Sequence, residues 1–293
     1  MTLKPDEVRA RVVHGENLDV LRDLADGFAN LIYIDPPFNT GKVQARSQLR
    51  TTRAADGDRV GFQGRRYATE RLGSKAFNDQ FDDYLAFLEP RLQEAHRCLA
   101  DNGTLYFHVD YREVHYCKVL LDSIFGRPSF LNEIIWAYDY GARTSKRWPA
   151  KHDNILVYVK DPKHYSFNAD EVERIPYMAP GLVGEEKAKR GKLPTDTWWH
   201  TIVSPTGKEK TGYPTQKPLG VLRRILSASS NPGDMVLDFF AGSGTAGAAA
   251  LELGRRFLLV DSNPEAIDVM KVRFEGEDVE FIEQAMIEQG ADQ

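Results

Sequence analysis

Short apolar runs alternate along this chain with apolar residues at helical spacing. Residues 11–14 predict a short strand, residues 31–34 are an apolar run typical of a buried strand, and Leu18, Leu21 and Leu24 between them recur at the spacing of one helix face. Strand, helix and strand in this order are typical of a parallel sheet. The pattern therefore predicts an α/β fold with a mostly parallel central sheet flanked by helices.

The same alternation continues to the end of the chain. Gly and Asn–Pro–Gly turns separate its segments. The predicted helices cover 78–99, 112–125, 219–230 and 264–274, and the predicted strands cover 104–109, 130–138, 152–160, 235–240, 256–261 and 278–282. No internal repeat and no low-complexity tract interrupts them.

Residues 41–75 form the first break in the pattern. They show no periodicity and hold nine Lys/Arg against three Asp/Glu. A long irregular segment inside a compact domain is usually functional or disordered. We expect a basic flexible loop that closes on a phosphate-bearing substrate; an insertion without a role is the alternative. The candidate phosphate contacts are Arg46, Arg50, Arg53, Arg65 and Arg66.

The second break covers residues 140–212. The stretch 139–217 holds 14 Lys/Arg and 10 Asp/Glu, although the whole chain has a net charge of −5. We expect 140–212 to leave the main sheet as a small recognition region, in which Arg143, Lys146 and Arg147 reach phosphates or base edges. A structural cap is the alternative. Residues 1–139 and 213–293 then form one main domain.

Composition limits the class of protein. A hydrophobic content of 42% and a charged content of 28% are ordinary for a globular chain of 293 residues. No run of about 18 apolar residues is present, so we expect no membrane span, and the first residues lack a signal-peptide core. Cys98 and Cys117 lack metal-ligand spacing, which predicts reduced thiols, a cytoplasmic setting and no metal site.

The stretch Asp35-Pro36-Pro37-Phe38 ends the second predicted strand with unusual chemistry. Two prolines fix the backbone and cannot donate hydrogen bonds, which leaves a stiff tip with a carboxylate, exposed carbonyls and an aromatic ring. Ligands of open α/β sheets bind just beyond the carboxyl ends of the strands. Such a tip suits a flat, amino-bearing ring, although a strand followed by a Pro-rich turn with a core Phe is equally consistent with the residues.

A second site is predicted where residues 235–240 turn into a glycine-rich segment. Gly242-Ser-Gly244-Thr-Ala-Gly247 fits the dinucleotide fingerprint, and Asp261 lies 19 residues after Gly242. A dehydrogenase is therefore a competitor. Only 46 residues follow Gly247, however, and Asp238 precedes the glycines where a pyrophosphate would lie. A carboxylate there suits a ligand with an amine, such as S-adenosylmethionine. Asp261 can accept hydrogen bonds from the ribose hydroxyls of such a ligand.

Three motifs together carry a family resemblance: Asp35-Pro-Pro-Phe38, Tyr213-Pro-Thr-Gln-Lys-Pro218 and Asp238-Phe-Phe-Ala-Gly-Ser-Gly-Thr245. In this order they closely resemble the β group of DNA amino-methyltransferases, in which a catalytic tetrapeptide precedes a target-recognition region and the cofactor glycines come last. The resemblance covers roughly 10–40, 78–160 and 210–275. It implies a Rossmann-like methyltransferase fold with 140–212 as the target-recognition region.

The resemblance also implies roles for individual residues. Asp35, Pro36, Pro37 and Phe38 become catalytic, and the basic residues named above become DNA contacts. Glu16 precedes the implied cofactor residue Asn17 and shares its expected approach to the adenine ring. The implied S-adenosylmethionine-binding residues are Asp238, Phe240, Gly242, Gly244, Thr245, Asp261, Thr215, Lys217 and Asn17.

The same resemblance implies that the substrate is double-stranded DNA. Asp at the first position of the tetrapeptide is commoner in adenine-N6 enzymes than in cytosine-N4 enzymes, so adenine is preferred and cytosine stays open. Phe38 stands where the family often has Tyr, which preserves stacking and removes a hydroxyl. A homodimer and a cognate restriction endonuclease are implied partners. An RNA or small-molecule methyltransferase and a catalytically silent DNA-binding module are the alternatives from other classes.

Overall fold

The computed structural model describes residues 2–38, 42–53, 59–60, 66–79, 83–141, 143–204 and 207–284, with the backbone alone between 42 and 79. The chain divides into two units, residues 1–36 with 85–293 and residues 37–84, and each is described by itself. The larger unit contains a nine-stranded sheet, and the smaller contains a three-stranded one. Among the described residues, no helix is both long and apolar enough to cross a membrane.

The strands and helices alternate through most of the chain. The strands are β1 (Ala10–His14), β2 (Ala29–Ile34), β3 (Lys42–Arg53), β4 (Arg59–Val60), β5 (Arg66–Asp79), β6 (Leu99–Asp110), β7 (Phe130–Ala137), β8 (His152–Val159), β9 (Thr197–Trp199), β10 (Met235–Asp238), β11 (Arg256–Asp261) and β12 (Glu280–Glu283). The helices are α1 (Asn17–Asp23), α2 (Tyr84–Cys98), α3 (Val114–Phe125), α4 (Glu185–Arg190), α5 (Leu219–Ser229), α6 (Thr245–Glu252) and α7 (Pro264–Arg273).

The nine-stranded sheet is mostly parallel, as predicted. Its order is β12-β1-β11-β10-β2-β6-β8-β7-β9. The pairs from β12 to β6 are all parallel, whereas β8 runs antiparallel to both β6 and β7. β2 lies near the middle between β10 and β6, which explains its nearly continuous apolar sequence, because a central parallel strand is covered on both faces.

Helices cover both faces of this sheet. One hydrophobic cluster joins Val221, Leu222 and Ile225 of α5 to residues of α6, α7 and one face of the strands, including Val157. The neighbouring residue Tyr158 points to the opposite face, where its ring packs 5.4 Å from that of Phe125 in α3. The fold is therefore a three-layered α/β arrangement with its core on both sides of the sheet.

The prediction of an irregular loop over 41–75 is wrong for the described residues. β3 and β5 pair antiparallel over nearly their full length, and β4 pairs with β5. Arg46, Arg50 and Arg53 are strand residues of β3. Arg66 begins β5, and Arg65 lies outside the described residues. The sequence of β3 gave little signal of a strand, because Val43, Ala45 and Leu49 are the only apolar residues among its twelve positions.

The predicted departure of 140–212 from the main sheet also needs correction. β8 lies between β6 and β7 inside that sheet, and β9 pairs with β7 at its edge. The apolar run Ile155–Val159 is buried, so it belongs to the core of the larger unit. Between these strands, residues 160–196 contain α4 and a two-residue bridge between Ile175 and Lys192. A role in target recognition stays a prediction.

Three element boundaries differ from the predicted ones, and one of them is the start of β6, which lies at Leu99 and not at 104. α2 begins at Tyr84 and not at 78, because residues 66–79 are engaged in β5. β10 ends at Asp238, two residues before the predicted end, since Phe240 donates its backbone N–H to the Asp238 carboxylate 3.0 Å away and the chain turns there. The other predicted elements agree with the structure within a few residues.

Candidate active site

The carboxyl ends of three neighbouring strands bring acidic residues to one edge of the sheet. β2 pairs in parallel with β10, with Leu31 beside Val236, and β10 pairs in parallel with β11. Asp35 follows β2, Asp238 ends β10 and Asp261 ends β11. Residues far apart in the sequence therefore share the edge at which open α/β sheets bind their ligands.

Asp35 is held between a lysine and a histidine. The Lys217 ammonium donates to Oδ2 of Asp35, and Nδ1 of His108 lies 3.9 Å from Oδ1. Oδ1 is buried without a hydrogen-bond partner among the described residues. Thr245, at the start of α6, donates its hydroxyl to the Lys217 carbonyl at 3.2 Å, which links Asp35 through Lys217 to the glycine-rich turn. Within the described part of the chain, the carboxylate of Asp35 thus has a hydrogen-bond partner on one oxygen only.

A buried polar chain lies behind Asp35. The hydroxyl of Tyr33 lies 2.8 Å from Nδ1 of His108, and Nε2 of His108 lies 3.2 Å from Asp153. Tyr138 donates its hydroxyl to the other oxygen of Asp153 at 3.0 Å. Burial opposes the ionisation of Asp153, but its bonds to His108 and Tyr138 outweigh it and lower the pKa of this carboxyl. The ionised Asp153 therefore anchors the imidazole beside Asp35.

Asp238 and Asp261 are carboxylates in a dry environment. Asp238 is only 3% exposed, and burial together with the nearby charges of Asp35 and Asp261 raises its pKa well above the usual value. Burial also raises the pKa of Asp261, whose oxygens accept the backbone N–H groups of Gly242 at 2.7 Å and Asn263 at 2.9 Å. A cationic or hydroxyl-bearing ligand would relieve the desolvation of these carboxylates.

The glycine-rich turn between Asp238 and α6 requires glycine at two positions, for its backbone conformation and for its packing. Gly242 and Gly244 have φ angles of 50° and 72°, a region that residues with a Cβ rarely adopt. A Cβ on Gly242 would lie 3.2 Å from the ring of Tyr213, and one on Gly244 would lie 2.7 Å from Met270. The bare turn and its flanking carboxylates fit S-adenosylmethionine, which carries an amine and a ribose diol.

The Tyr213–Pro218 segment lies against this turn. Asn263 donates to the Tyr213 hydroxyl at 3.4 Å, and the Lys217 ammonium is 3.5 Å from the carbonyl of Thr215. Thr215 has a φ of 59°, and it is the only described non-glycine residue with a positive φ. A β-branched residue in this region is strained, and such strain concentrates at functional sites. The strained backbone at Thr215 therefore allows Tyr213 to lie against Gly242 while Lys217 contacts Asp35.

Asn17 is engaged on both sides of its amide. Its Nδ2 donates to the carbonyl of Phe239 at 2.8 Å, and its Oδ1 accepts from Nε of Arg91 at 2.7 Å. Arg91 also donates to Glu16 at 2.5 Å and stacks 3.9 Å from the centroid of the Phe87 ring. These bonds tie α1 and α2 to the turn after β10. The predicted contact of Asn17 with adenine stays untested.

Phe240 has an aromatic neighbour that sequence reasoning missed. The ring centroid of Phe87 in α2 lies 6.1 Å from that of Phe240. Arg91, His108 and Asp153 were missed as well, although a charged or polar residue inside a buried run, as His108 is in β6, was a usable signal. Arg91 lies within an amphipathic helix, where an arginine is ordinary, so its partners gave no local signal.

The remaining predicted residues are placed as follows. Pro36 is buried at the end of the larger unit, whereas Pro37 and Phe38 are half-buried residues of the smaller unit. Arg143, Lys146 and Arg147 are exposed between β7 and β8. Cys98 and Cys117 are buried free thiols. In the described ranges, no cluster of three or more His, Cys, Asp or Glu residues could hold a metal ion.

Comparisons with known proteins agree with this geometry. The family model described as DNA methylase, which groups N6 and N4 methyltransferases, matches residues 29–272. The Type II methyltransferase M.HpaI of Haemophilus parainfluenzae is 30% identical over 267 residues, which is 91% of this chain and 74% of that protein. The DNA adenine methyltransferase YhdJ of Escherichia coli (strain K12) is 30% identical over 269 residues, 87% of this chain and 79% of its own length.

Solved structures share the fold at lower sequence identity. TTHA0409 of Thermus thermophilus, complexed with S-adenosyl-L-methionine, has a TM-score of 0.58 and 20% identity, covering 94% of this chain and 98% of its own. The cytosine-N4-specific PvuII DNA methyltransferase has a TM-score of 0.61 and 13% identity, covering 96% of this chain and 91% of its own. These likenesses extend over the whole α/β arrangement.

Proposed function

Because this chain belongs to the DNA methylase family and is an S-adenosylmethionine-dependent DNA amino-methyltransferase, we propose that it methylates N6 of an adenine flipped out of double-stranded DNA. The observation that carries the proposal is the position of Asp35. Its carboxylate lies at the same sheet edge as the glycine turn at Gly242 and Gly244, linked to it through Lys217 and Thr245. Methyl donor and acceptor amine can therefore meet there.

Asp35 and Pro36 would act on the acceptor amine. The lone pair of an exocyclic amine is delocalised into the ring, so the amine is a poor nucleophile. By accepting its two N–H bonds, the Asp35 carboxylate and the Pro36 carbonyl would localise the lone pair and stabilise the positive charge that develops on nitrogen. Phe38 would stack on the base, which must leave the duplex stack to be reached.

Other residues would hold and orient the cofactor. S-adenosylmethionine supplies an electrophilic methyl carbon bonded to a positively charged sulfur. Asp238 and Asp261 would accept hydrogen bonds from its amine and its ribose hydroxyls. Phe240 would lie beside its adenine. Lys217 and Thr215 would face its carboxylate. Because Lys217 also contacts Asp35, it would hold the two binding regions in one arrangement, so the rate would come mostly from positioning.

Adenine is favoured over cytosine by two observations. The tetrapeptide begins with Asp35, and the relative YhdJ is named as a DNA adenine methyltransferase. The cytosine-N4 activity in the name of PvuII methyltransferase belongs to a protein of 13% identity, which supports the fold alone. Cytosine-N4 methylation is the second candidate, because the same carboxylate and carbonyl would accept the N–H bonds of either amine.

A methyl-transfer assay tests the proposal. Radiolabelled product on duplex DNA is digested to nucleosides, and N6-methyl-2′-deoxyadenosine is the expected species. Asp35→Ala should abolish transfer and retain cofactor binding, whereas the control Asp19→Ala, in an exposed carboxylate of α1, should behave as wild type. Labelled N4-methyl-2′-deoxycytidine would refute the choice of base. Turnover by Asp35→Ala at the wild-type rate would refute the role of Asp35.

We also propose a cytoplasmic enzyme with a cognate restriction endonuclease. Two unpaired cysteines suit a reducing compartment, and M.HpaI is named as a Type II methyltransferase. A homodimer is a further proposal from the family resemblance, to be checked by sedimentation at several protein concentrations. DNA methylated by the enzyme should resist one site-specific endonuclease, whereas cleavage by every endonuclease tested at the methylated sites would refute that pairing.

A further inference from the structure

A tryptophan stands almost fully in solvent between β7 and β8. Trp148 is 96% exposed and makes no hydrogen bond or ring contact with any other described residue. Tryptophan is highly buried on average, because its ring removes a large apolar area from water. Leaving such a ring unpacked therefore sacrifices stability, which an interaction with another molecule would recover.

The connection that carries Trp148 starts at the edge of the sheet that holds Asp35. Ala137 of β7 is paired with His152 of β8 at this edge. The next residues, Tyr138 and Asp153, are hydrogen-bonded to each other, and Asp153 contacts His108, whose Nδ1 is 3.9 Å from Asp35. All of these residues belong to the larger unit. Trp148 is thus anchored on both sides to the wall of the candidate active site.

Three cations close to Trp148 in sequence have no acidic partner among the described residues. Arg143, Lys146 and Arg147 are exposed, and none forms an ion pair with a described residue. The one acidic residue of the connection, Asp139, is paired with Lys151 at 2.5 Å. The connection therefore presents an uncompensated positive charge around an exposed aromatic ring. This combination suits a nucleic acid, because the cations can bind phosphates and the ring can stack on a base.

We propose that Trp148 stacks in the duplex gap left by the flipped base, while Arg143, Lys146 and Arg147 hold the flanking phosphates. This inference rests on the proposed function, since it needs a base that leaves the duplex. Flipping breaks the stacking of the target base with its neighbours, and an inserted side chain replaces part of that stacking. A planar indole suits this role because every base offers it a flat face.

A second exposed tryptophan provides the comparison. Trp199 is 78% exposed at the same edge, but it ends β9 and is held by backbone pairing with Ala137. No lysine or arginine lies within five residues of it in the sequence. Trp199 therefore lacks both the projecting backbone and the cations of the Trp148 connection, and we assign it no role in the gap.

The test compares two short synthetic duplexes that carry a site methylated by the wild-type enzyme. One has the target base correctly paired, and the other has it in a mismatch that is already partly unstacked. Trp148→Ala should weaken binding and methyl transfer on the paired duplex by about tenfold, the loss of roughly one stacking interaction. The defect should largely disappear on the mismatched duplex. Trp148→Phe should recover most of the loss.

Trp199→Ala is the matched control and should show no dependence on the mismatch. The melting temperatures of the variants should equal that of wild type, since both rings are exposed. An equal loss for Trp148→Ala on both duplexes, or no loss on either, would overturn the gap-filling role. Failure of the proposed function is a different result, in which the wild-type enzyme methylates neither duplex.

Discussion

The ion pair between Lys217 and Asp35 leads to a prediction with a calculable size. The Lys217 side chain is 9% exposed and that of Asp35 is 16% exposed. Lys217→Met keeps most of the apolar stem but removes the ammonium from Oδ2 of Asp35, whose Oδ1 already lacks a hydrogen-bond partner among the described residues. Removing one partner of a buried pair costs about 3–5 kcal/mol, because the other charge stays buried and uncompensated.

We expect the lower end of this range, since Asp35 keeps some contact with water. A loss of about 3 kcal/mol corresponds to a fall in Tm of roughly 6 °C for a chain of this size. Urea unfolding and thermal unfolding, followed by circular dichroism without cofactor, measure it. Lys217→Met combined with Asp35→Asn should be more stable than Lys217→Met alone, with a coupling energy of about 1–3 kcal/mol.

The pair of Arg223 and Glu252 offers a control of the same charge type. Its shortest distance is 2.6 Å, but its side chains are 50% and 42% exposed. Arg223→Met should therefore change the free energy of unfolding by at most about 1 kcal/mol. If Lys217→Met were no more destabilising than Arg223→Met, or if the two changes at Lys217 and Asp35 were additive, the coupling inferred here between the two residues would be refuted.

Three further predictions concern other buried groups. Burial raises the pKa of Asp238, so folding favours its protonated form, and this group reduces stability as the pH rises above its unfolded pKa. Asp238→Asn should therefore raise the Tm of the protein without cofactor at neutral pH. The same variant should not bind the cofactor in a calorimetric titration, and an unchanged affinity would contradict the role of Asp238. Arg91→Leu leaves Asn17 without its 2.7 Å donor and should cost about 2 kcal/mol in urea unfolding; a smaller effect than that of a surface variant would contradict this anchoring. Burial raises the pKa of the Cys98 and Cys117 thiols to about 12, so a thiol reagent at mildly alkaline pH should label neither residue until the protein is unfolded, and rapid native labelling would show that they are accessible.

Local periodicity accounts for the parts of the fold that the sequence predicted correctly. The apolar run of β2 and the leucines of α1 report burial through their spacing, and parallel α/β order follows from their alternation. The same reasoning failed at β3, where polar residues occupy most positions of a strand that pairs with β5. Hydrogen bonding between strands can order such a segment although its sequence has no apolar pattern from which a strand could be predicted.

For the candidate active site too, part of the chemistry followed from the sequence and part from the tertiary structure. The sequence by itself determined which groups are available: the carboxylate and prolines after β2, the glycines before α6, and the family to which their order belongs. Only the tertiary structure decided which of these groups meet. Lys217 and Asp35 are 182 positions apart, and Asn17 bonds to a carbonyl 222 positions away. Such contacts depend on strand order and on the packing of helices against a shared edge, and neither is encoded in the spacing of neighbouring residues.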